Sequence, residues 1–301
     1  MSQFWNIYII VIVVFTVVAC MGLLWWTKKF TVKDTDVGKT LDHDFDGIRE
    51  YNNPMPSWWL WTFYLTAIFL VAYLVIYPGF GFFEGALKWT SRGELKADQD
   101  RAREKYGALY KELSSQPVES LIHNPQAMRM GQRLFANHCA ACHGADGRGS
   151  IGFPNLTDTH WIYGGTPAEI KTTITSGRQG MMPPQERVLG SDKVIQDVVQ
   201  YVLKLNHKTF DAAAAERGEQ AYQRVCAVCH GQDAEGNKQI GAPNLKNNAW
   251  TFGGTPLRIE MTVRYGRQAQ MPAHENILTS EKIHLLTAFV YSLSQPIEQG
   301  E

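Results

Sequence analysis

The sequence predicts a mainly α-helical protein: a hairpin of two transmembrane helices, then a linker helix, then two tandem copies of one small helical domain. Three observations carry that prediction. Two long apolar stretches without charge lie within residues 4–83, a helix-forming charged stretch follows them, and beyond residue 125 a set of short motifs recurs. The 301 residues carry 29 Lys+Arg against 29 Asp+Glu, a balance that offers no electrostatic footprint for nucleic acid. With 45% apolar residues the chain is not of the disordered class. Five cysteines are too few and too clustered for a disulfide framework, because four lie in two short motifs and Cys20 sits alone in an apolar run.

Residues 1–26 are expected as the first transmembrane helix. Phe4 to Trp26 contains no charged side chain and ends in Trp25 and Trp26, followed by Lys28 and Lys29. At 1.5 Å per residue this spans roughly 30 Å of hydrocarbon, with aromatics at the interface and lysines beyond it. A secretory signal peptide would be shorter, preceded by basic residues and followed by a small-residue cleavage site. Residues 58–83 are expected as the second span, with Trp58, Trp59 and Trp61 at one end and Tyr77-Pro78-Gly79 towards the other. Between them, residues 27–57 carry Lys28, Lys29, Lys33, Lys39 and Arg49, while the N-terminal tip carries no basic side chain. The positive-inside rule puts this loop in the cytoplasm.

Residues 84–125 are expected as a linker helix on the opposite side, the periplasm. Leu95, Ala102, Tyr106, Leu109 and Leu113 recur at near-helical spacing among Glu, Lys and Arg. Two globular domains follow, residues 126–207 and 208–297. Cys139-Ala-Ala-Cys142-His143-Gly144 returns 87 residues later as Cys226-Ala-Val-Cys229-His230-Gly231. Pro154-Asn155-Leu156, Gly164-Gly165-Thr166-Pro167 and Gly177-Arg178-Gln179 each return 89 residues later, so the second copy has a two-residue insertion after its cysteine motif. Two copies of one domain, rather than a solenoid, fit a unit of this size.

C-x-x-C-H is the attachment signature of a c-type haem. Cysteines three apart on a helical turn can each form a thioether to a haem vinyl group, and the next residue's imidazole then falls under the iron. Cys139, Cys142, Cys226 and Cys229 are therefore the predicted covalent attachment points of two haem c groups, and His143 and His230 their axial ligands. A zinc site would need four donors where each motif supplies three. A thioredoxin-like pair would need a βαβ context.

For the sixth position, Met181-Met182-Pro183 follows the first Gly-Arg-Gln and Met271-Pro272 follows the second. The 89-residue offset pairs Met182 with Met271 and so favours Met182 over Met181. His/Met ligation raises the potential and closes the iron to small substrates, which points to electron transfer rather than catalysis, with no catalytic residue in this chain. Each methionine could serve the haem of its own repeat or of the other. Arg178 and Arg267 also recur, as neutralising partners of a haem propionate or as solvated loop charges. His43, His123, His138, His160, His207, His274 and His284 lack the repeat symmetry and are read as surface or structural residues.

Gly131 with Phe135 and Gly218 with Tyr222 precede the haem motifs on one helix face. Tyr201-Val202 and Phe289-Val290 lie on later helices that begin after Ser191 and Ser280, each a potential N-cap. A glycine facing an aromatic lets two helices cross closely, and in this both repeats resemble class I cytochromes c. Since haem is attached covalently on the periplasmic side of bacterial membranes, the chain from about residue 84 lies outside, in agreement with the lysine count.

Phe45-Asp46-Gly47-Ile48-Arg49-Glu50-Tyr51-Asn52-Asn53-Pro54-Met55-Pro56-Ser57-Trp58-Trp59, followed by a span and Tyr77-Pro78-Gly79-Phe80-Gly81, resembles the membrane segment of the di-haem CcoP subunits of cbb3-type cytochrome c oxidases. With two C-x-x-C-H domains downstream, the resemblance covers nearly the whole chain. It implies a bacterial inner-membrane subunit that accepts electrons from a soluble or membrane-bound cytochrome c and relays them through a mono-haem cytochrome c subunit. The recipient is a catalytic subunit holding b-type haems and copper, where oxygen reduction and proton pumping take place. Two other readings are a free-standing membrane-anchored di-haem carrier like cytochrome c4 and a di-haem peroxidase. The paired methionines oppose the peroxidase, and the Asn-Pro-Met-Pro-Ser-Trp-Trp segment opposes the free carrier.

Overall fold

A computed structural model describes residues 2–29, 37–42 and 44–295. Lys33, His43, residues 296–297 of the second expected domain and the side chains of Lys28 and Lys29 lie outside the described residues. The chain divides into two units, residues 1–105 and 106–301.

In the first unit, helices α1 (Gln3–Lys29) and α2 (Ser57–Ile76) are both long and apolar enough to cross a membrane. Most of their side chains are exposed and the rest half-buried, apart from Leu24, which is buried in α1; α2 buries none. Helices that are apolar all round and uncovered by protein belong in lipid. Helix α1 runs past Trp26 to Lys29, and α2 ends at Ile76 rather than at residue 83. The stop is local chemistry: Pro78 disfavours helical backbone at the residue before it, and Tyr77 is extended at φ −109° and ψ 154°. Beyond it Phe80 and Phe83 bridge a tight turn, and at Gly81 a Cβ would fall 2.5 Å from Ile10 Cγ1 of α1. At the other end, Pro56 (φ −59°, ψ 133°) leads the chain into α2 in extended form.

Helix α3 (Ser91–Ser114) follows, and its last turn with α4 (Val118–Leu121) contributes buried Leu113, Val118 and Leu121 to the second unit. Helix α5 (Pro125–His138) starts on an Asn124 cap that accepts from the Gln126 and Ala127 N–H groups, with Pro125 at the position where no donor is needed. It runs into the haem-motif turn α6 (Ala140–His143). Helix α7 (Pro167–Ser176) opens with a capping box between Thr166 and Glu169 and leads into strand β1 (Arg178–Met182). Helices α8 (Glu186–Leu189) and α9 (Asp192–Leu205) complete the first repeat. The second repeats the series as α10 (Ala212–Val225), α11 (Ala227–His230), α12 (Pro256–Tyr265), β2 (Arg267–Met271) and α13 (Ser280–Leu293). Ser191 caps α9 through the Val194 N–H, whereas Ser280 is already inside α13 and Thr279 holds its cap position.

The helices that meet belong to different repeats. Helix α5 packs on α13, and α9 on α10, while α7 adds to the first pair and α12 to the second. At the first crossing a Cβ on Gly131 would lie 2.6 Å from Phe289 Cβ and 2.9 Å from the Leu285 carbonyl oxygen. At the second, Gly218 lies against the Asp197 backbone. The predicted aromatics are at these crossings: Phe135 meets Phe289 with ring centres 5.4 Å apart, and Tyr201 meets Tyr222 at 5.1 Å.

The exchange is made by β1 and β2, which pair antiparallel from Arg178 opposite Met271 to Met182 opposite Arg267. Neither five-residue segment signals a strand, because each is completed by its copy in the other repeat. One core thus gathers Leu134, Phe135, Ile170 and Ile174 with Leu285, Leu286 and Ala288; another gathers Ile195, Val198, Val199 and Val202 with Ala221, Ile259 and Val263.

Candidate haem sites

Each C-x-x-C-H motif occupies the end of one helix and a following turn. Cys139 closes α5, and its carbonyl accepts from the His143 N–H at 2.9 Å; Cys226 and His230 repeat the bond at 2.9 Å. One turn thereby presents both cysteines and the imidazole. Cys142 and Cys229 are exposed, while Cys139 and Cys226 are half-buried, and burial first, then the neighbouring cysteine, pushes their thiols up to about 11. Such thiols stay protonated and resist stray oxidation.

The two histidines are oriented by the Pro-Asn-Leu segments, recurrent in the sequence but without an assigned role there. His143 Nδ1 lies 3.1 Å from the Pro154 carbonyl oxygen, and His230 Nδ1 lies 3.0 Å from that of Pro243. A carbonyl can only accept, so the proton is on Nδ1 and the lone pair is on Nε2, free for a metal. Burial lowers the pKa of both imidazoles and keeps them neutral, as a ligand must be.

The ribbon sets each methionine beside a helix end of the opposite repeat, the Met271 carbonyl against Gly177 and the Met182 carbonyl against Gly266. Met271 packs on the core that holds Cys139, Ile170 and Ile174, and beyond it the His274 N–H is donated to the Ile174 carbonyl at 3.1 Å. On the other side the Gln185 N–H is donated to the Val263 carbonyl at 3.0 Å, which fixes Met182 beside the end of α12. Gly177 and Gly266 make the crossing possible. Each has φ near +70°, and a side chain there would strike the backbone carbonyl of Met271 and of Met182 respectively. Met182 is half-buried, whereas Met181 is 77% exposed on the outer face of the ribbon.

Arg178 and Arg267 are anchored rather than solvated. Arg178 Nε donates to Thr173 Oγ1 and Arg267 Nε to Thr262 Oγ1, both at 2.9 Å, and their guanidinium groups stack on Tyr163 at 4.8 Å and Phe252 at 5.0 Å. Arg267 Nη2, Trp250 Nε1 and His274 Nδ1 are buried without hydrogen-bond partners. Buried donors left open in this way fit a large anionic group inserted between these walls. Sequence reasoning missed Trp250, Tyr163, Phe252 and His274; for the aromatics the signal was their recurrence at 89 residues, Trp161 with Trp250 and Tyr163 with Phe252.

A membrane hairpin carrying two such centres defines a membrane-anchored di-haem c-type cytochrome. Residues 37–84 match the family model described as the N-terminal domain of cytochrome oxidase-cbb3, FixP, and residues 126–202 and 213–290 match that of cytochrome c oxidase, cbb3-type, subunit III. The chain is 42% identical to the cbb3-type cytochrome c oxidase subunit CcoP of Rubrivivax gelatinosus, over 97% of this chain and 95% of the relative. It is 37% identical to subunit FixP of Azorhizobium caulinodans, over 84% and 92% of the two chains, and 32% identical to CcoP of Cereibacter sphaeroides, over 84% and 94%. The chain belongs to the CcoP/FixP family of cbb3-type cytochrome c oxidase subunits. It is a non-catalytic, membrane-anchored electron-transfer subunit with two covalently bound haem c groups, and its partners are other subunits of the oxidase complex.

Proposed function

We propose that the chain collects electrons from a soluble or membrane-bound cytochrome c at the periplasmic face. It passes them through a mono-haem subunit to a catalytic subunit holding b-type haems and copper. Residues 27–57 lie in the cytoplasm and both haem domains in the bacterial periplasm, a reading supported by the lysine distribution and by the side of the membrane on which haem is attached covalently. Cys139 and Cys142 hold the first haem, with His143 as its proximal ligand, and Cys226 and Cys229 the second, with His230. Met271 closes the first site and Met182 the second. The observations that support this crossed assignment are the ribbon and the packing of Met271 on the core that also packs Cys139, with Met182 assigned by the symmetry of the repeat.

Each haem c, when bound, supplies a one-electron Fe(II)/Fe(III) couple. The residues around it hold that couple in place: Pro154 and Pro243 fix the imidazole tautomers, and the anchored Arg178 and Arg267 offset propionate charge. The test is the complete chain in its oxidase complex, with oxygen consumption driven by reduced cytochrome c. Replacing Cys226 and Cys229 by Ala should leave one haem by mass and suppress that activity. Full turnover from the one-haem variant would sink the relay.

A further inference from the structure

Between the two membrane helices the chain folds back on itself. The Asn52 N–H is donated to the Lys39 carbonyl at 2.8 Å and the Leu41 N–H to the Glu50 carbonyl at 2.9 Å, and at the tip Phe45 and Ile48 exchange both backbone bonds at 3.0 Å. Asp46 and Gly47 form the turn, both left-handed at φ 52° and 86°, the tight hairpin geometry that an Asp-Gly pair favours. Asp44 secures it by accepting from the Gly47 N–H. None of the described residues of this hairpin is buried: Leu41 and Asn52 are half-buried and the rest are exposed, with Phe45 59%, Ile48 69% and Tyr51 67% open.

An isolated two-stranded hairpin is marginal in water and gains stability by packing its apolar side chains on something else. Phe45 and Ile48 stand directly opposite each other, so they project from one face as a pair, and the chain leaves that face open. Charge decides between the surfaces that could cover it. The hairpin carries Asp42, Asp44, Asp46 and Glu50 against Lys39 and Arg49, and Arg49 is paired with Asp44 at 3.6 Å. The cytoplasmic leaflet is negative and repels such a surface, whereas the cytoplasmic loops of membrane subunits are enriched in Lys and Arg. The lysines suited to lipid headgroups, Lys28 and Lys29, adjoin the first span instead.

We propose that residues 38–52 are a docking hairpin, which seats Phe45 and Ile48 in an apolar depression on the cytoplasmic face of another oxidase subunit, with Lys or Arg residues of that subunit facing Asp42, Asp46 and Glu50. The inference rests on the cytoplasmic placement of residues 27–57. It gives the complex a hold on this chain across the membrane from the haem domains, where attachment does not compete with a cytochrome c donor for surface.

The test uses the full chain. Ile48→Cys, with Cys20→Ser removing the one cysteine outside the haem motifs, is first expressed without the other subunits. It should react with a membrane-impermeant maleimide in inside-out vesicles and not in spheroplasts. In the assembled oxidase, p-benzoylphenylalanine in place of Phe45 should cross-link on irradiation to a Lys- or Arg-bearing cytoplasmic segment of another subunit. Phe45→Ser with Ile48→Ser, and separately Asp42→Lys with Glu50→Lys, should each weaken retention in the complex about tenfold or more, with haem content by mass and membrane insertion unchanged. Cross-links confined to lipid or to this chain, or both double variants retained as fully as the native chain, overturn the proposal. Labelling of Ile48→Cys in spheroplasts overturns the cytoplasmic placement, and the proposal with it.

Discussion

Arg178 and Met271 stand directly opposite each other across the antiparallel ribbon, and the same register sets Met182 against Arg267. Alternate residues of a strand share a face, so all four point to one side, with one Arg–Met pair at each end. At about 3.4 Å per residue the two ends are roughly 14 Å apart. The crossed assignment makes a sharp prediction in a chain that carries only the first haem, the Cys226→Ala, Cys229→Ala variant. There Met271→Leu should abolish the methionine-to-iron absorption band and Met182→Leu should leave it unchanged. The opposite pattern would return each methionine to its own repeat. In the di-haem chain Met181→Leu should change neither spectrum, because Met181 is 77% exposed on the outer face.

The arginines should act on separate haems. A cation beside a haem opposes the extra positive charge of Fe(III), so removing it lowers the potential. Arg178→Leu should lower the potential of the first haem and Arg267→Leu that of the second, by roughly 40 mV for an interaction of about 1 kcal/mol. A redox titration in which either variant moves both couples equally would count against the separation.

Helix crossings predict stability effects that contact loss alone would not. Gly131 faces the Leu285 carbonyl and Phe289, and Gly218 faces the Asp197 backbone, so neither neighbour can turn away. Replacement of either glycine by Ala should cost about 1–3 kcal/mol by overpacking, seen as a lower melting temperature of the haem-loaded protein. Unchanged melting of Gly218→Ala would mean that α9 and α10 can separate without penalty.

At the start of α7, the Thr166 backbone N–H first, and its hydroxyl second, hold the Glu169 carboxyl below the ordinary carboxylate range. A carboxyl whose pKa is lowered by folding stabilises the fold above its unfolded value of about 4.3, and that contribution is lost as pH falls through the folded value. Glu169→Gln should therefore flatten the acid side of the melting profile, and Thr166→Ala should cost about 1 kcal/mol near neutrality. Melting curves followed from neutrality down to well below about pH 4.3 would decide it.

The membrane approach can be tested apart from the haems. Trp58 and Trp61 are about two-thirds exposed at the start of α2, just past the extended Pro56. Replacing Pro54, Pro56, Trp58 and Trp59 with Ala should leave haem content and membrane insertion intact but release the chain from the oxidase during purification. Undiminished co-purification would reduce these aromatics to lipid anchors.

Much of this architecture is legible in sequence. Two apolar stretches give the hairpin, and the C-x-x-C-H duplication gives the two haem c groups, because those signals are local and their chemistry is stringent. The end of α2 is also local, yet Pro78 had to be read as a stop rather than as part of an apolar run. The interleaving was not legible. Repeat symmetry says that α5 and α13 are the kinds of helix that cross, but it is satisfied equally by a crossing within a repeat or between repeats.

The pairing of α5 with α13 also sets an order of events. Ribosomes deliver the chain N-terminus first, so the first cysteine motif emerges while residues 280–293 are still unmade, whereas α9 and α10 follow one another closely. The second pocket closes from neighbours in time, and the first must wait for the last helix to be synthesised and to find it across the whole intervening chain, the slow kind of closure. Haem delivered early to Cys139 and Cys142 would therefore meet a half-built pocket with its distal side still missing. Maturation of this chain ends where it began, and truncation at the C-terminus should injure the first haem before the second.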